Sequence, residues 1–148
     1  MPDNVTREAT RLLWDFVYAY DAAYDRAARS VDLSAAQACL LKAVAVEPRP
    51  MGELATELLC DASNVTQIAA RLEARGLVER VVPATDRRSR HVRITAAGAP
   101  VAEEADAAFT FPGERVERLS HAEQQTLVRL LQTMLRPEEG TATAPKHR

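Results

Sequence analysis

The segment from Met51 to Thr95 most constrains how this chain can fold, because two short helical patterns in it are followed by two runs rich in β-branched residues. It reads MGELATELLCDASNVTQIAARLEARGLVERVVPATDRRSRHVRIT. Asp61 places a carboxylate where it can accept the free amide hydrogens of a helix start, and Gly76 is suited to a helix end. The predicted order of elements is helix, turn, helix and β-hairpin.

The second helix of this segment is predicted to have two different faces. Apolar residues recur at i, i+3, i+4 and i+7 and form one buried stripe: Val65, Ile68, Ala69 and Leu72. The opposite face carries short, amide or guanidinium side chains: Ser63, Asn64, Thr66, Gln67, Ala70 and Arg71. Such groups can reach base edges or phosphates in a DNA major groove, whereas an ordinary solvated surface helix would carry more charge.

An arginine-rich loop joins the two predicted strands, residues 77–82 and 91–95. It reads PATDRRSR and contains Arg87, Arg88 and Arg90. A loop of this length and charge suits insertion beside a phosphate backbone better than it suits packing. The alternative is a solvated surface turn.

The run ELATELLCDASNVTQIAARLEARGLVER, followed by DRRSRHVRIT and a long helical tail, resembles the MarR family (multiple antibiotic resistance regulators). Members of that family are winged helix-turn-helix repressors that act as homodimers. The similarity extends from the first predicted helix to about Arg136, and its most specific parts are SNVTQIAARLEARGLVER and the Asp-x-Arg spacing at Asp86 and Arg88. The resemblance implies that Arg88 enters a minor groove and that Asp86 holds it in place. It also implies that the recognition-helix surface includes Ser63, Asn64, Thr66 and Gln67.

The net charge of −2 does not by itself indicate a nucleic-acid binder, but the charges are unevenly distributed. Residues 62–95 contain seven arginines and three acidic residues, a net charge of +4, so the rest of the chain carries −6. An acidic body with one basic face is typical of a protein that presents a single surface to DNA. We therefore predict that Arg71, Arg87 and Arg90 join Arg88 in contacting DNA.

Length and composition favour one ordinary globular domain, with 148 residues of which 47% are hydrophobic and 27% charged. No apolar run approaches the roughly 20 residues that span a bilayer, and the N-terminus lacks the pattern of a signal peptide. We expect a cytoplasmic protein. The expected division is a single MarR-like domain over residues 1–136, with a DNA-binding lobe at about 34–95, dimerisation helices at about 5–30 and 97–136, and a frayed tail at 137–148.

The predicted first and last helices carry apolar stripes that need a partner. The first runs from about Thr6 to Arg29, with the stripe Val5, Ala9, Leu12, Leu13, Phe16, Val17, Tyr20 and Tyr24. The last follows a capping box at Ser120 and Glu123, with the stripe Leu127, Leu130, Leu131, Met134 and Leu135. Phe111-Pro112-Gly113 interrupts the helical region between them, which departs from the family pattern.

Trp14 and Tyr18 lie off the apolar stripe of the first helix, one turn apart. Aromatic side chains there mark a subunit interface or a small-molecule pocket, or they fill the core of the monomer. The resemblance implies a small, often aromatic or phenolic effector between the DNA-binding lobe and the dimerisation helices. The candidate ligand-binding residues are therefore Trp14, Tyr18 and Cys39 of the second helix.

The two cysteines, Cys39 and Cys60, are too few for a disulfide framework. Cys39 lies among apolar residues, which favours a small buried hydrophobe over a reactive thiol. Cys60 precedes the second helix of the central segment, whose dipole favours a thiolate, while the neighbouring Asp61 opposes it. A thiol-based redox regulator using Cys60 or Cys39 remains an alternative.

The sequence contains no constellation typical of catalysis, a metal site or a phosphate-binding glycine loop, so we expect no enzyme activity and no cofactor. The predicted fold class is mostly α with a small β-hairpin wing. The predicted function is that of a ligand-responsive repressor that binds a palindromic operator in double-stranded DNA as a homodimer. A helical interaction or scaffold protein with an incidental basic wing is the alternative from another class.

Overall fold

The computed structural model describes residues 3–58 and 62–137, without the side chains of Ala62 and Ser63. Two compact units divide at Thr110 and Phe111. The first contains α1 (Asn4–Arg29), α2 (Ala35–Ala43), β1 (Arg49–Pro50), α3 (Met51–Glu57), α4 (Ala62–Ala74), β2 (Val78–Val81), β3 (His91–Ile94) and α5 (Gly98–Ala108). The second contains α6 (Gly113–Val116) and α7 (His121–Met134). This mostly helical architecture with a small sheet confirms the predicted fold class.

The sheet is antiparallel, with the strand order β1-β3-β2. The hairpin register pairs Val78 with Ile94 and Val81 with His91, as expected for consecutive strands joined by a loop. Sequence reasoning missed β1, in which Arg49 and Pro50 pair with β3 at the sheet edge. A two-residue strand that contains proline carries no strand pattern, and only its pairing with β3 defines it.

The core of the first unit forms where α2, α3, α4 and the hairpin meet. Its fully buried side chains are Leu40, Leu41, Val44, Leu54, Val65, Leu72, Val78 and Val92. The predicted apolar stripe of α4 is confirmed, because Val65, Ala69 and Leu72 are completely buried and Ile68 nearly so. Burying this stripe turns the polar face of α4 outward.

The end of α1 is a Schellman turn with a residue other than glycine at its left-handed position. Asp32 has a φ of 57°, its N–H donates to Arg29 O at 3.0 Å, and Leu33 N–H donates to Ala28 O at 3.0 Å. Leu33 is buried beneath the turn. A capping box at Ser34 and Gln37 then starts α2.

The second unit is short and helical. Ser120 and Glu123 form the predicted capping box at the start of α7. The Ser120 N–H donates to the Glu123 carboxylate, and this hydrogen bond lowers the pKa of Glu123. The Gln124 side-chain amide donates to the carbonyl oxygens of Val116 and Leu119, both at 3.1 Å. These bonds hold α6 against the start of α7. The interruption expected at Pro112 and Gly113 separates α5 from α6.

Each unit exposes an apolar helix face. On α1 the exposed residues include Val5, Leu12, Leu13, Phe16 and Val17. On α7 they are Val128, Leu130, Leu131 and Met134, followed by Leu135. These faces lie largely on the stripes predicted to need a partner. Within the described part of the chain, no helix has the length and apolar character needed to cross a membrane.

Thr95 and Gly98 join the hairpin to α5 by close backbone contacts. The Thr95 hydroxyl donates to Gly76 O at 2.5 Å and accepts the Gly98 N–H at 3.0 Å, while Thr95 N–H donates to Leu77 O at 3.0 Å. A Cβ atom on Gly98 would overlap the Leu77 carbonyl group and lie 3.0 Å from Ile94 Cγ1. Because a backbone carbonyl held by a hydrogen bond cannot move aside, this position requires glycine.

We therefore expect Gly98→Ala to lower the free energy of unfolding by about 1–3 kcal/mol, the usual cost of overpacking a core position. Gly52→Ala is the matched control, since a Cβ on Gly52 in α3 would meet no atom within 4 Å. That change should raise stability by about 0.4–1 kcal/mol. Urea denaturation of the three proteins measures both effects, and equal stability of Gly98→Ala and the parent chain would contradict the close packing.

Candidate nucleic-acid interface

The polar face of α4 is defined here by Asn64, Thr66, Gln67 and Arg71, all of which are exposed. The burial of Val65, Ile68, Ala69 and Leu72 on the other side of the helix forces this orientation. The backbone of Ser63 belongs to α4, but the side chain predicted to read DNA lies outside the described atoms. The exposed face is thus a row of hydroxyl, amide and guanidinium groups without an acidic residue.

The wing loop, residues 82–90, connects β2 to β3 and folds into two successive turns. Asp86 N–H donates to Pro83 O and Ser89 N–H donates to Asp86 O, both at 3.3 Å. The Arg88 N–H donates to Asp86 Oδ1 at 2.9 Å. Asp86 therefore orders the backbone of Arg88, a different contact from the guanidinium hydrogen bond suggested by the Asp-x-Arg spacing.

Most of the seven arginines counted in residues 62–95 are engaged within the protein. Arg93 pairs with Glu79 across the hairpin at 2.6 Å, and the Arg80 guanidinium lies 3.9 Å from Glu73, whose carboxylate also accepts the Arg80 N–H at 3.1 Å. The Arg75 guanidinium donates to Asp32 O at 2.5 Å. Fewer arginines are therefore available on the basic face than the charge count of residues 62–95 suggests.

Arg90, predicted to contact DNA, turns its guanidinium toward the wing loop. Its Nη1 donates to the carbonyl oxygens of Arg87 and Ser89, both at 3.2 Å, while Arg90 O accepts the Met51 N–H at 3.0 Å. These contacts close the base of the wing and join it to the start of α3. The geometry gives Arg90 a part in shaping the loop.

Arg71, Arg87 and Arg88 are exposed, and no carboxylate within residues 3–58 and 62–137 forms an ion pair with them. An exposed arginine without an acidic partner can contact phosphate without first breaking an ion pair. The candidate interface therefore combines the polar face of α4 with Arg87 and Arg88 at the tip of the wing.

None of the three predicted ligand-binding residues lines the small cavity between α1, α2 and α5. Trp14 and Tyr18 on α1 are 57% and 66% exposed, so they do not lie in the core of this chain. Their ring centroids are 6.2 Å apart. Cys39 is half-buried on α2. Its thiol is hydrogen-bonded with the Tyr24 hydroxyl, and burial, together with this bond, raises the pKa of Tyr24 well above its ordinary value.

A cavity of about 10 Å³, which holds no more than one water molecule, lies instead between α1, α2 and α5. Tyr24 and Phe109 line it with their rings 5.0 Å apart, and Lys42 and Asp106 form a 2.7 Å ion pair beside it. Sequence reasoning placed Tyr24 on the apolar stripe of the first helix but gave no sign of the Lys42–Asp106 pair. These two residues are 64 positions apart, and no local pattern connects them.

The remaining groups are the second cysteine and the side chains that could bind a metal ion. Cys60, the main candidate for redox sensing, and Asp61 lie outside the described residues. Across the part of the chain with described positions, no three histidine, cysteine, aspartate or glutamate side chains are grouped to hold a metal ion.

The comparisons with known proteins match this geometry. A family model described as "MarR family" matches residues 31–89. No curated protein sequence matches this chain. Among solved structures, wild-type MarR from E. coli in its apo form is 26% identical, with a TM-score of 0.71 over 85% of this chain and 96% of the MarR chain.

Two structures of a Staphylococcus aureus protein are also similar in fold. MepR, described as a transcription regulator of the multidrug efflux pump MepA, is 20% identical, with a TM-score of 0.74 over 85% of this chain and 95% of its own. A point variant of MepR bound to an oligodeoxyribonucleotide is 21% identical, with a TM-score of 0.60 over 86% and 95% of the two chains. At these identities the likeness shows the shared fold.

The wing geometry predicts how Asp86 affects backbone order. Asp86→Ala should speed hydrogen exchange of the Arg88 amide by about threefold to tenfold, because it removes a charge-assisted hydrogen bond. Asp86→Asn keeps an Oδ1 acceptor and should show a smaller change. The amide of Ile94 in β3 serves as the internal control. NMR measurement showing the same Arg88 exchange rate in all three proteins would contradict this role of Asp86.

Proposed function

Because residues 31–89 belong to the MarR family and the chain has the fold of that family's winged-helix regulators, we propose that it binds DNA in a sequence-specific manner and regulates transcription. The observation that carries the proposal is the polar face of α4 beside a wing tip whose arginines form no ion pair among the described residues. The family consists of transcription regulators and not of enzymes, so we assign no catalytic role.

In the proposed complex α4 is the recognition helix and lies in a major groove. Its apolar stripe is held by the core, so the helix is presented as a rigid element with Gln67 and Arg71 outward. A glutamine amide can pair with adenine through two hydrogen bonds, and an arginine can pair with guanine or with phosphate. A variant of MepR, which has the same fold, has been solved bound to an oligodeoxyribonucleotide, and this supports DNA binding by this fold.

The wing loop is proposed to reach the adjacent minor groove. Arg88 occupies the tip, and its backbone is fixed by Asp86. A narrow minor groove concentrates negative potential, which attracts an inserted arginine. Arg87 is proposed to contact the phosphate backbone, while Arg90 acts by shaping the loop through its two hydrogen bonds to carbonyl oxygens.

We further propose a homodimer that covers the exposed apolar faces of α1 and α7. A monomer would leave Leu12, Leu13, Phe16 and Val17 of α1 in water, which is unfavourable at about 25 cal/mol for each Å² of apolar surface. The face of α7 adds Leu130, Leu131 and Met134. A symmetric dimer carries two recognition helices and therefore binds a palindromic operator.

The regulator is proposed to be a repressor that responds to a small aromatic or phenolic effector. Trp14 and Tyr18 support this part of the proposal, because two neighbouring exposed rings offer stacking surfaces. Cys39 is the weakest of the three predicted ligand residues, since its thiol already bonds with Tyr24. Titration of the operator complex with phenolic compounds, followed by the release of DNA, tests the response.

Gln67→Ala tests sequence reading. We expect it to cost roughly 1–3 kcal/mol on a selected operator and to relax the preference at one base pair, because one bidentate contact is lost. Fluorescence anisotropy at fixed salt on the operator and on a random duplex measures both quantities. Gln125→Ala removes an exposed amide from α7 and should leave binding unchanged. Equal weakening on the two duplexes would show that Gln67 does not read sequence.

Light scattering after size exclusion tests the dimer. The parent chain should have twice the mass of one chain at micromolar concentration. Leu130→Asp places a charge on the exposed α7 face and should raise the dimer dissociation constant more than about a hundredfold, because the charge would be buried without a partner. Val46→Asp, at a position 96% exposed, is the control and should stay dimeric. A parent chain with the mass of one protomer would refute the dimer.

A further inference from the structure

Arg75 joins the end of α4 to the end of α1. It directly follows α4, and its Nη1 donates to the main-chain carbonyl oxygen of Asp32 at 2.5 Å. The two residues are 43 positions apart in the sequence. A charged donor on a carbonyl oxygen makes a stronger hydrogen bond than a neutral donor does. The Arg75 side chain is exposed, but its guanidinium bonds to the main chain of the protein itself.

The acceptor lies at a backbone position that costs free energy. Asp32 adopts a φ of 57° in the Schellman turn that ends α1, where a residue with a Cβ is less stable than glycine. The turn also fixes the direction of the Asp32 carbonyl group, because the N–H groups of Asp32 and Leu33 are both bonded to the last turns of α1. A carbonyl fixed to α1 therefore receives a guanidinium fixed to α4.

The apolar contacts of α4 fix which face of the helix is buried, and the Arg75 hydrogen bond adds a directional restraint at its end. The stripe of Val65, Ala69 and Leu72 holds the helix in the core, but burial of apolar surface depends on area and has little directional preference. A hydrogen bond at the end of the helix restrains both its tilt and its rotation. Thr66 lies nine residues before Arg75, roughly 14 Å along the helix at 1.5 Å per residue, so a tilt of about 10° at Arg75 moves Thr66 by about 2 Å.

We propose that Arg75 is a positioning residue that fixes the recognition helix relative to α1 and thereby sets the half-site spacing that the dimer prefers. This inference rests on the proposed function, because α1 is assigned there to the dimer and α4 to the DNA. A displacement of about 2 Å on each protomer is comparable with the rise of one base pair, roughly 3.4 Å. The link acts through the orientation of α4 and makes no contact with a base or phosphate.

The test uses a duplex that the parent protein selects from a random pool, resynthesised with its half-sites moved closer or farther apart by one and two base pairs. Arg75→Met removes the donor and keeps much of the apolar stem. We expect the preference for the selected spacing over its neighbours to fall by about threefold to tenfold, the effect of losing one solvent-exposed hydrogen bond of ordinary strength. The slope of affinity against salt concentration should stay the same, because no phosphate contact is lost.

Two further variants distinguish the hydrogen bond to the Asp32 carbonyl oxygen from an effect of the charges on Arg75 and Asp32. Arg75→Lys restores a charged donor and should recover spacing preference. Asp32→Asn keeps the carbonyl acceptor and tolerates the left-handed conformation, so it should behave like the parent chain. Should Arg75→Met fail to fold, as seen by circular dichroism and dimer mass, Arg75→Gln replaces it, since its shorter side chain also removes the charged donor.

The outcomes distinguish this inference from the proposed function. An unchanged spacing preference in Arg75→Met or Arg75→Gln overturns the positioning role. Uniform weakening at every spacing, with a salt slope reduced by about one, makes Arg75 a phosphate contact and also overturns it. Failure of the parent protein to select any duplex overturns the proposed function itself.

Discussion

The burial of one side of α4 is the interaction on which the rest of this structure depends. Val65, Ala69 and Leu72 are completely excluded from water and contribute to a core shared with α2, α3 and the hairpin. The same burial fixes which side chains of α4 face solvent, because residues on a helix are tied to one another by its 3.6-residue period. A polar recognition surface is therefore a direct consequence of packing, and loss of the stripe would remove the surface together with the core.

The charge of the interface is decided by pairing within the protein. Glu73 and Glu79 lie beside Arg80 and Arg93, and the carbonyl oxygens of Asp32, Arg87 and Ser89 accept hydrogen bonds from Arg75 and Arg90. These arginines shape the lobe. The exposed arginines that form no ion pair among the described residues, Arg71, Arg87 and Arg88, lie on α4 and in the wing loop.

Two sets of contacts connect the winged-helix part of the first unit to α5 and to α1. The Thr95 hydroxyl donates to Gly76 O before β2 and accepts the Gly98 N–H of α5, and Lys42 pairs with Asp106 to join α5 to α2. At the other end, Asp32 and Arg75 connect α1 to α4. These contacts connect α1 and α5 directly to the packed elements around α4.

The sequence by itself determined the features that depend on neighbours along the chain. The helix order, the two faces of α4, the capping boxes at Ser34 and Ser120 and the break at Pro112 all follow from residues within one or two helical turns, where spacing fixes geometry. Tertiary structure alone decided the pairing of β1 with β3, the carbonyl acceptors of Arg75 and Arg90 and the Lys42–Asp106 pair. Most of these join residues far apart in the sequence, and even the local contacts of Arg90 depend on how the wing closes. Net charge and periodicity do not predict the hydrogen-bond or ion-pair partner of a long side chain, because that partner depends on distances that are set when the core packs.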